Sequence, residues 1–352
     1  MAFHLLRGLN ALPGIELFVI LLNQARLSDE LENAGIPTCV LDEGKRSFPQ
    51  IVGLAARAAR RKAPHVLHSH RYKENILAYL VSMTLSGKAA LVSTQHGMPE
   101  VYAGRPGLLQ RLKLRANYGL LASRFDKTVA VSSDIKEKLT RDYGFREKRL
   151  ETIRNGLVVP EARYHSRAKD GFVIGSAGRF VPVKDYPFMV EVAREVSART
   201  DRIRFELAGD GPMLDEIRGL IKRHGLEERF MLRGFVRDVG AFYQGLDVYL
   251  NTSLHEGIPM SVLEAMAHGV PTIAPRVGGL EEIVTDGVDG YLVDARDPRD
   301  FAEKCLSLCE NETLRRNMAG AARETIIGKF SVERMVNDYL DMYARTVGAN
   351  AS

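Results

Sequence analysis

Short aliphatic or β-branched runs alternate with helix-period segments along nearly the whole sequence, at 16–22, 38–41, 65–68, 90–94, 128–131, 173–176, 204–207, 248–250 and 272–274. Each is followed by an amphipathic stretch of roughly 8 to 18 residues, and strand-helix alternation at that pitch points to parallel sheets covered by helices on both faces. The expected fold is α/β and doubly wound. A chain of 352 residues holds about two such domains. The stretch 158–170, with Pro160, His165, Ser166 and Lys169, has no clear period and reads as the linker between them. Domains over 1–165 and 166–330 follow, with a closing helix at about 331–347 that need not stay with the second.

The beginning departs from this plan. A doubly wound unit opens with a central strand and a glycine-rich turn, whereas here Ala2, Leu5, Leu6 and Leu9 form one helical stripe ended by Pro13-Gly14. The first strand and its turn are missing. Either the chain dispenses with them or its true start lies about 15 to 25 residues upstream.

Composition narrows the setting. With 45% hydrophobic and 26% charged residues the chain is ordinary globular protein. Its longest apolar runs, such as 17–22, fall far short of the roughly 20 residues that cross a bilayer, and the first residues lack the features of a secretory signal. Three cysteines, Cys39, Cys305 and Cys309, suit neither a disulfide framework nor a zinc site. A cytoplasmic location and no metal are expected. The net charge of +5 divides unevenly, +10 over 1–165 and −5 over the remainder. The first part thus faces something anionic, or simply carries an uneven solvated surface.

The densest constellation is His255-Glu256-Gly257-Ile258-Pro259-Met260-Ser261-Val262-Leu263-Glu264, continuing to Gly269 and Pro271. Pro259 suits the first position of a helix and Gly269 its end, so a helix over 259–268 aims the N–H groups of Met260 to Leu263 into the preceding loop. Such an end can hold an anion. Glu256 lies ahead of the helix and Glu264 a turn and a half inside it. The two carboxylates bracket the anion site at different depths.

A second element, 175–186, carries Gly178, Arg179 and Lys184 between a strand and a helix. A planar guanidinium and a point-charge ammonium together suit a diphosphate. Gly209-Asp210-Gly211-Pro212 forces a tight turn with exposed backbone or is a plain strand-to-helix connection. Gly278-Gly279 allows the backbone close to a ligand.

Taken in order, Gly178-Arg179 with Lys184, the Gly209–Pro212 turn, Glu256 and Glu264, Pro271 and Gly278-Gly279 resemble glycosyltransferase family 4. The resemblance is strong over 172–347 and weaker before it, through His68-Ser69-His70, Thr94-Gln95-His96-Gly97 and Asn155-Gly156. It implies the GT-B fold, two Rossmann-like domains facing a cleft. The first would bind the acceptor and the second the nucleotide sugar, with the final helix crossing back to the first domain. Arg179 and Lys184, with Gly178, Gly209, Asp210 and Gly211 in the adjoining turns, would hold the donor diphosphate. Glu264 would meet the ribose, Glu256 the sugar hydroxyls, and the N–H groups of the helix begun at Pro259, through Ser261, Val262 and Leu263, the sugar or phosphate. His96 would contact the transferred sugar, and His70 is either a structural or an acceptor-loop histidine.

The implied reaction is retaining glycosyl transfer from a nucleotide sugar, a UDP- or GDP-sugar, with no bound cofactor. No Asp-x-Asp occurs, and Arg179 with Lys184 would take the place of a divalent cation. The acceptor would be a saccharide or lipid-linked saccharide of cell-surface glycan or lipopolysaccharide-type biosynthesis. A basic, leucine-rich stretch of Leu108, Leu109, Arg111, Leu112, Lys113, Leu114 and Arg115 beside Tyr102 and Arg105, with a second cluster of Arg57, Arg60, Arg61 and Lys62, fits peripheral docking on an anionic membrane face or ordinary packing on the sheet. No base-stacking motif accompanies these cations, so nucleic acid is not expected. The rivals are a nucleotide-sugar epimerase on the same fold and an N-terminally truncated, impaired homologue.

Overall fold

A computed structural model describes residues 1–98, 107–161 and 171–351, with side chains to 349. Tyr102 and Arg105 of the basic stretch, and His165, Ser166 and Lys169 of the expected linker, lie outside the described residues. The chain forms two compact units: one takes in Met1–Met98, the described part of Pro106–Val158 and the segment from Val332 onward, the other the described part of Val159–Ser331.

The first unit runs α1 (Ala2–Asn10), β1 (Val19–Leu21), α2 (Arg26–Asn33), β2 (Thr38–Val40), α3 (Phe48–Lys62), β3 (Val66–Ser69), α4 (Tyr72–Ser82), β4 (Ala90–Gln95), α5 (Leu108–Arg124), β5 (Lys127–Ala130), α6 (Ser133–Tyr143) and β6 (Leu150–Thr152). The second runs β7 (Phe172–Ala177), α7 (Tyr186–Ser197), β8 (Ile203–Ala208), α8 (Leu214–Arg223), β9 (Phe230–Gly234), α9 (Val239–Gln244), β10 (Val248–Leu250), α10 (Met260–Ala267), β11 (Thr272–Pro275), α11 (Leu280–Ile283), β12 (Gly290–Val293), α12 (Pro298–Glu310) and α13 (Glu312–Lys329). The chain closes with α14 (Val332–Ala351), which belongs to the first unit.

Unit two is one six-stranded parallel sheet in the order β12-β11-β10-β7-β8-β9. Its opening strand, β7, lies between β8 and β10, at the switch point where such sheets bind ligands. Unit one repeats the alternation without that strand. There β1 pairs in parallel with β2, β3-β4-β5-β6 form a separate parallel sheet, and β1 and β3 share no ladder. The place that β7 fills in the second unit thus has no counterpart among the described residues of the first, as the helical opening of the sequence anticipates.

Partial exposure follows from that gap. All three residues of β1 and three of the four in β3 are only half-buried, whereas β4 is buried throughout and so is β10, the strand of unit two that corresponds to β3. Helix α14 presents Val332, Met335, Val336, Tyr339 and Met342 at helical spacing and packs them on Leu5 and Leu9 of α1 and on Val92, Val129 and Ile153 under the sheet. Each such burial contributes about 1.5–3 kcal/mol, which accounts for α14 belonging to unit one although it follows α13 in sequence. No helix among the described residues is long and apolar enough to cross a membrane.

Candidate functional site

Adjacent strands β7 and β10 set two distant loops side by side. The loop after β7 closes in a short turn, Pro182–Lys184, and is stitched to the loop after β10: the Thr252 hydroxyl donates to the Lys184 carbonyl at 2.9 Å and the Leu254 N–H to the Val183 carbonyl at 2.8 Å. Across this seam Nζ of Lys184 meets Oε1 of Glu256 at 2.5 Å. The Ser253 hydroxyl donates to the same oxygen at 2.6 Å. Lys184 and Glu256 keep 22% and 11% of their side-chain exposure, so the pair is little screened by water. Arg296 braces the seam, pairing with Asp185, donating to the Thr252 carbonyl at 3.0 Å and stacking 4.4 Å above the Phe188 ring.

Helix α10 starts beside this pair. Pro259 stands just outside it as the cap residue, and Gly269, with φ of 73°, closes it. The expected set of free donors is shorter than the sequence suggested, because the N–H groups of Val262 and Leu263 both turn to the Pro259 carbonyl, each at 3.2 Å. Those of Met260 and Ser261 remain at the open end of the helix. Ser261 also reaches the Tyr249 hydroxyl with its side chain. Tyr249 in turn donates to the Ala177 carbonyl at 3.1 Å, tying the first turn of α10 to the exit of β7.

Glu264, inside α10, accepts a hydrogen bond from the Tyr243 hydroxyl at 2.9 Å. Burial first, then the neighbouring Tyr249 and the charge of Glu264, raises the Tyr243 pKa well above its usual value, so the phenol stays a donor. Arg179 is exposed beside Gly178, with no ion pair among the described residues. The sequence therefore places Lys184, Glu256, Ser261 and Glu264 on connected loops and one helix, with Arg179 on the same loop as Lys184.

The glycine pairs serve a different purpose from the one their sequence suggests. A Cβ on Gly278 would lie 2.2 Å from the Glu256 carbonyl oxygen, and one on Gly279 would lie 1.7 Å from that of Gly257. The Gly279 N–H donates to the Glu256 carbonyl at 3.0 Å. What approaches Gly278-Gly279 closely is the Glu256 loop itself, which by itself requires glycine at both positions. Likewise a Cβ on Gly209 would fall 1.9 Å from the Gly178 carbonyl oxygen, and one on Gly211 2.5 Å from that of Phe180. The Phe180 N–H donates to the Asp210 carbonyl at 2.8 Å, and the Gly209 N–H to Gly234 at 2.8 Å. The backbone of this turn is engaged by its neighbours, and the Asp210 carboxylate accepts from the Gly211 N–H at 2.7 Å.

In the first unit, His68, His70 and His96 gather at the ends of β3 and β4. His68 is held at both nitrogens, Nδ1 lying 2.6 Å from the Tyr343 hydroxyl and Nε2 2.8 Å from that of Thr94. Thr94 continues to the Tyr339 hydroxyl at 2.9 Å. His70 and His96 contact each other at 3.1 Å. The protein around the three rings lowers each pKa, to about 4 for His70 and about 3 for His96, although His96 keeps surface open to solvent. The Gly156 N–H of the Asn155-Gly156 motif meets the Met335 sulfur of α14 at 3.2 Å. On α5, Leu108, Leu109 and Leu112 are exposed by 76%, 67% and 55%, so the reading of this helix as ordinary packing on the sheet fails for its first turns.

Sequence reasoning missed Tyr243, Tyr249, Ser253, Arg296, Tyr339 and Tyr343. Only Ser253 left a trace, in the polar run Asn251-Thr252-Ser253 straight after an apolar strand.

Two family models divide the chain: residues 1–159 match Glycosyltransferase Family 4, and residues 160–325 match Glycosyl transferases group 1. The chain belongs to the family 4 glycosyltransferases. This glycosyltransferase is 28% identical over 300 residues to the N-acetyl-alpha-D-glucosaminyl L-malate synthase of Bacillus anthracis, spanning 82% of this chain and 76% of that one. It is 30% identical over 281 residues to the uncharacterized glycosyltransferase MJ1178 of Methanocaldococcus jannaschii, 79% of this chain and 74% of the relative. Among solved structures, Anabaena Alr3699/HepE in complex with UDP and glucose matches with a TM-score of 0.84 at 19% identity, covering 97% of this chain and 94% of that one. The fold is that of the GT-B glycosyltransferases.

Proposed function

We propose that this glycosyltransferase moves a sugar from a UDP- or GDP-sugar to a saccharide or lipid-linked saccharide acceptor, retaining the anomeric configuration and working without a metal. The observation that carries the reading is the Lys184–Glu256 ion pair at the open end of α10, with Glu264 one and a half turns further in. Residues 166–330 bind the donor and 1–165 the acceptor. Arg179 and Lys184, framed by the Gly178 and Gly209-Asp210-Gly211 turns, meet the diphosphate. The first turn of α10, entered through Pro259, adds the N–H donors of Met260 and Ser261 for sugar or phosphate, those of Val262 and Leu263 being turned to Pro259. Glu264, oriented by Tyr243, takes the ribose hydroxyls.

As the anomeric bond breaks, negative charge grows on the leaving diphosphate and positive charge on the sugar. Preset cations stabilise the first, and the Glu256 carboxylate lies near the second while holding the Lys184 ammonium in place. Retention follows from front-face attack, the leaving phosphate accepting the acceptor's proton, so no protein carboxylate is glycosylated. His96 contacts the transferred sugar. The exposed leucines of α5, with Arg111, Lys113 and Arg115, dock the protein on an anionic inner membrane face, which suits cell-surface or lipopolysaccharide-type glycan synthesis. Relatives named for such steps, including the Rhizobium meliloti lipopolysaccharide core glycosyltransferase LpsE, support this direction.

The test is a panel of UDP-, GDP- and ADP-sugars read by protection against thermal unfolding, followed by product analysis with the protecting donor. Protection by one sugar nucleotide and a retained α- or β-linkage in the product support the reading. A free epimerised donor as the sole product would replace it with the epimerase reading.

A further inference from the structure

Strands β3 and β4 run in parallel with Ser69 opposite Ser93, so His70 and His96 leave the sheet as neighbours. Their rings meet edge to edge, with centroids 5.3 Å apart and planes 16° from parallel, and Nδ1 of His70 lies 3.1 Å from Nε2 of His96. A bond between two ring nitrogens needs an N–H on one and a bare lone pair on the other. Doubly protonated rings cannot make it. The groups that face the pair favour uncharged rings: the surrounding protein, Arg71 and the effect of His70 on His96. Nothing acidic among the described residues opposes them.

Behind the pair, the ring of His68 lies 4.3 Å from that of His70. His68 cannot turn freely, being bonded to Tyr343 on one side and to Thr94 on the other. The tyrosines come from α14, so the closing helix fixes His68, His68 backs His70, and His70 holds His96. Nδ1 of His96 is left without a hydrogen-bond partner among the described residues.

We propose that His70 is a positioning residue that holds the His96 ring in one orientation, with Nε2 turned to His70, so that Nδ1 of His96 stays toward the hydroxyl it meets. The inference rests on the reading that puts His96 against the transferred sugar. Orientation of an imidazole by a second group bonded to its other nitrogen is the same device that fixes metal-bound and triad histidines.

The experiment uses the full chain with 15N-labelled histidine, whose ring-nitrogen shifts report hydrogen bonding at Nε2 of His96, together with steady-state transfer kinetics. His70→Phe keeps a ring at the position but removes its nitrogens; His70→Asn puts an amide, able to donate or accept, where Nδ1 stood. Wild type is expected to show a hydrogen-bonded Nε2 at His96, His70→Phe an unbonded one, and His70→Asn a bonded one again. In parallel, kcat falls about tenfold in His70→Phe and recovers in His70→Asn, with KM for the donor little changed. Unaltered Nε2 shifts at His96 in His70→Phe overturn the proposal, as does an unchanged kcat. His70→Ala replaces His70→Phe if the larger ring prevents folding. A wild-type chain that transfers no sugar would remove the functional reading, and the nitrogen shifts would still decide whether His70 positions His96.

Discussion

Lys184 and Glu256 are 72 residues apart in sequence, and their charged atoms meet at 2.5 Å. The cation proposed for the diphosphate and the carboxylate proposed for the sugar therefore hold each other in place beside α10. Neither is independent of the other, which shapes how their variants should behave.

Lys184→Ala is expected to lower turnover on the order of 10² or more, about 3 kcal/mol, since its charge meets charge that grows in the transition state. Glu256→Gln should also lower kcat, and because the groups are in contact the double variant should lose less than the two single losses added together. Strict additivity in kcat would separate their roles.

Glu264→Ala should mainly weaken donor binding, because ribose contacts differ little between ground and transition states. Tyr243→Phe removes a hydroxyl that donates to that carboxylate and should cost donor affinity about 1 kcal/mol. Calorimetric titration with the donor identified by the panel checks both; a collapse of kcat with affinity intact in Glu264→Ala contradicts its assignment.

At Gly279 an added methyl would overlap the Gly257 carbonyl oxygen at 1.7 Å. Gly279→Ala must push the Glu256 loop away, and a loss of about 2 kcal/mol or more in stability is expected, together with reduced turnover. Gly219→Ala, in the interior of α8 with nothing within 4 Å, should be neutral or stabilising by up to about 1 kcal/mol. Thermal denaturation of the pair of variants is the check.

Burial lowers the pKa of His4 and His70 to about 4 and that of His68 also downward. As pH falls, the unfolded chain binds protons first, near 6.5, while the folded chain refuses them until about 4. Stability is thus present in full above about pH 6.5 and is lost on acidification from there toward pH 4. Denaturant midpoints at several pH values should show this slope, and His4→Gln should flatten it. A stability that rises on acidification over that range would contradict the sign.

Flotation with liposomes tests α5. The protein is expected to rise with vesicles containing anionic lipid and not with neutral ones, and replacing Leu108, Leu109 and Leu112 by serine should abolish recovery. Equal recovery from both kinds of vesicle ends the membrane reading.

Much of the scaffold could be read in the sequence, since alternation of period is a local property. Strands β6, β9 and β12 escaped: β6 is three residues long, β12 opens on glycine, and β9 follows the charged run Glu227-Glu228-Arg229 and carries an exposed arginine. In the candidate site, Glu256, Glu264, Arg179 and Lys184 stand out because a fixed spacing marks them. Their partners do not, because Tyr243, Ser253 and Arg296 are each a lone polar residue whose significance comes only from what the fold sets opposite. Tyr339 and Tyr343 look like part of an apolar stripe until His68 and Thr94 arrive beneath them. The glycine pairs announce a close approach in the sequence, but which backbone approaches them is seen only in the fold.

The unshared ladder in the first unit leaves Val19–Leu21 and Val66–Ser69 each gripped along a single side. Among the described residues these two segments are paired along one flank only, so their amides should exchange with solvent ahead of those of Val248–Leu250, which is paired along both.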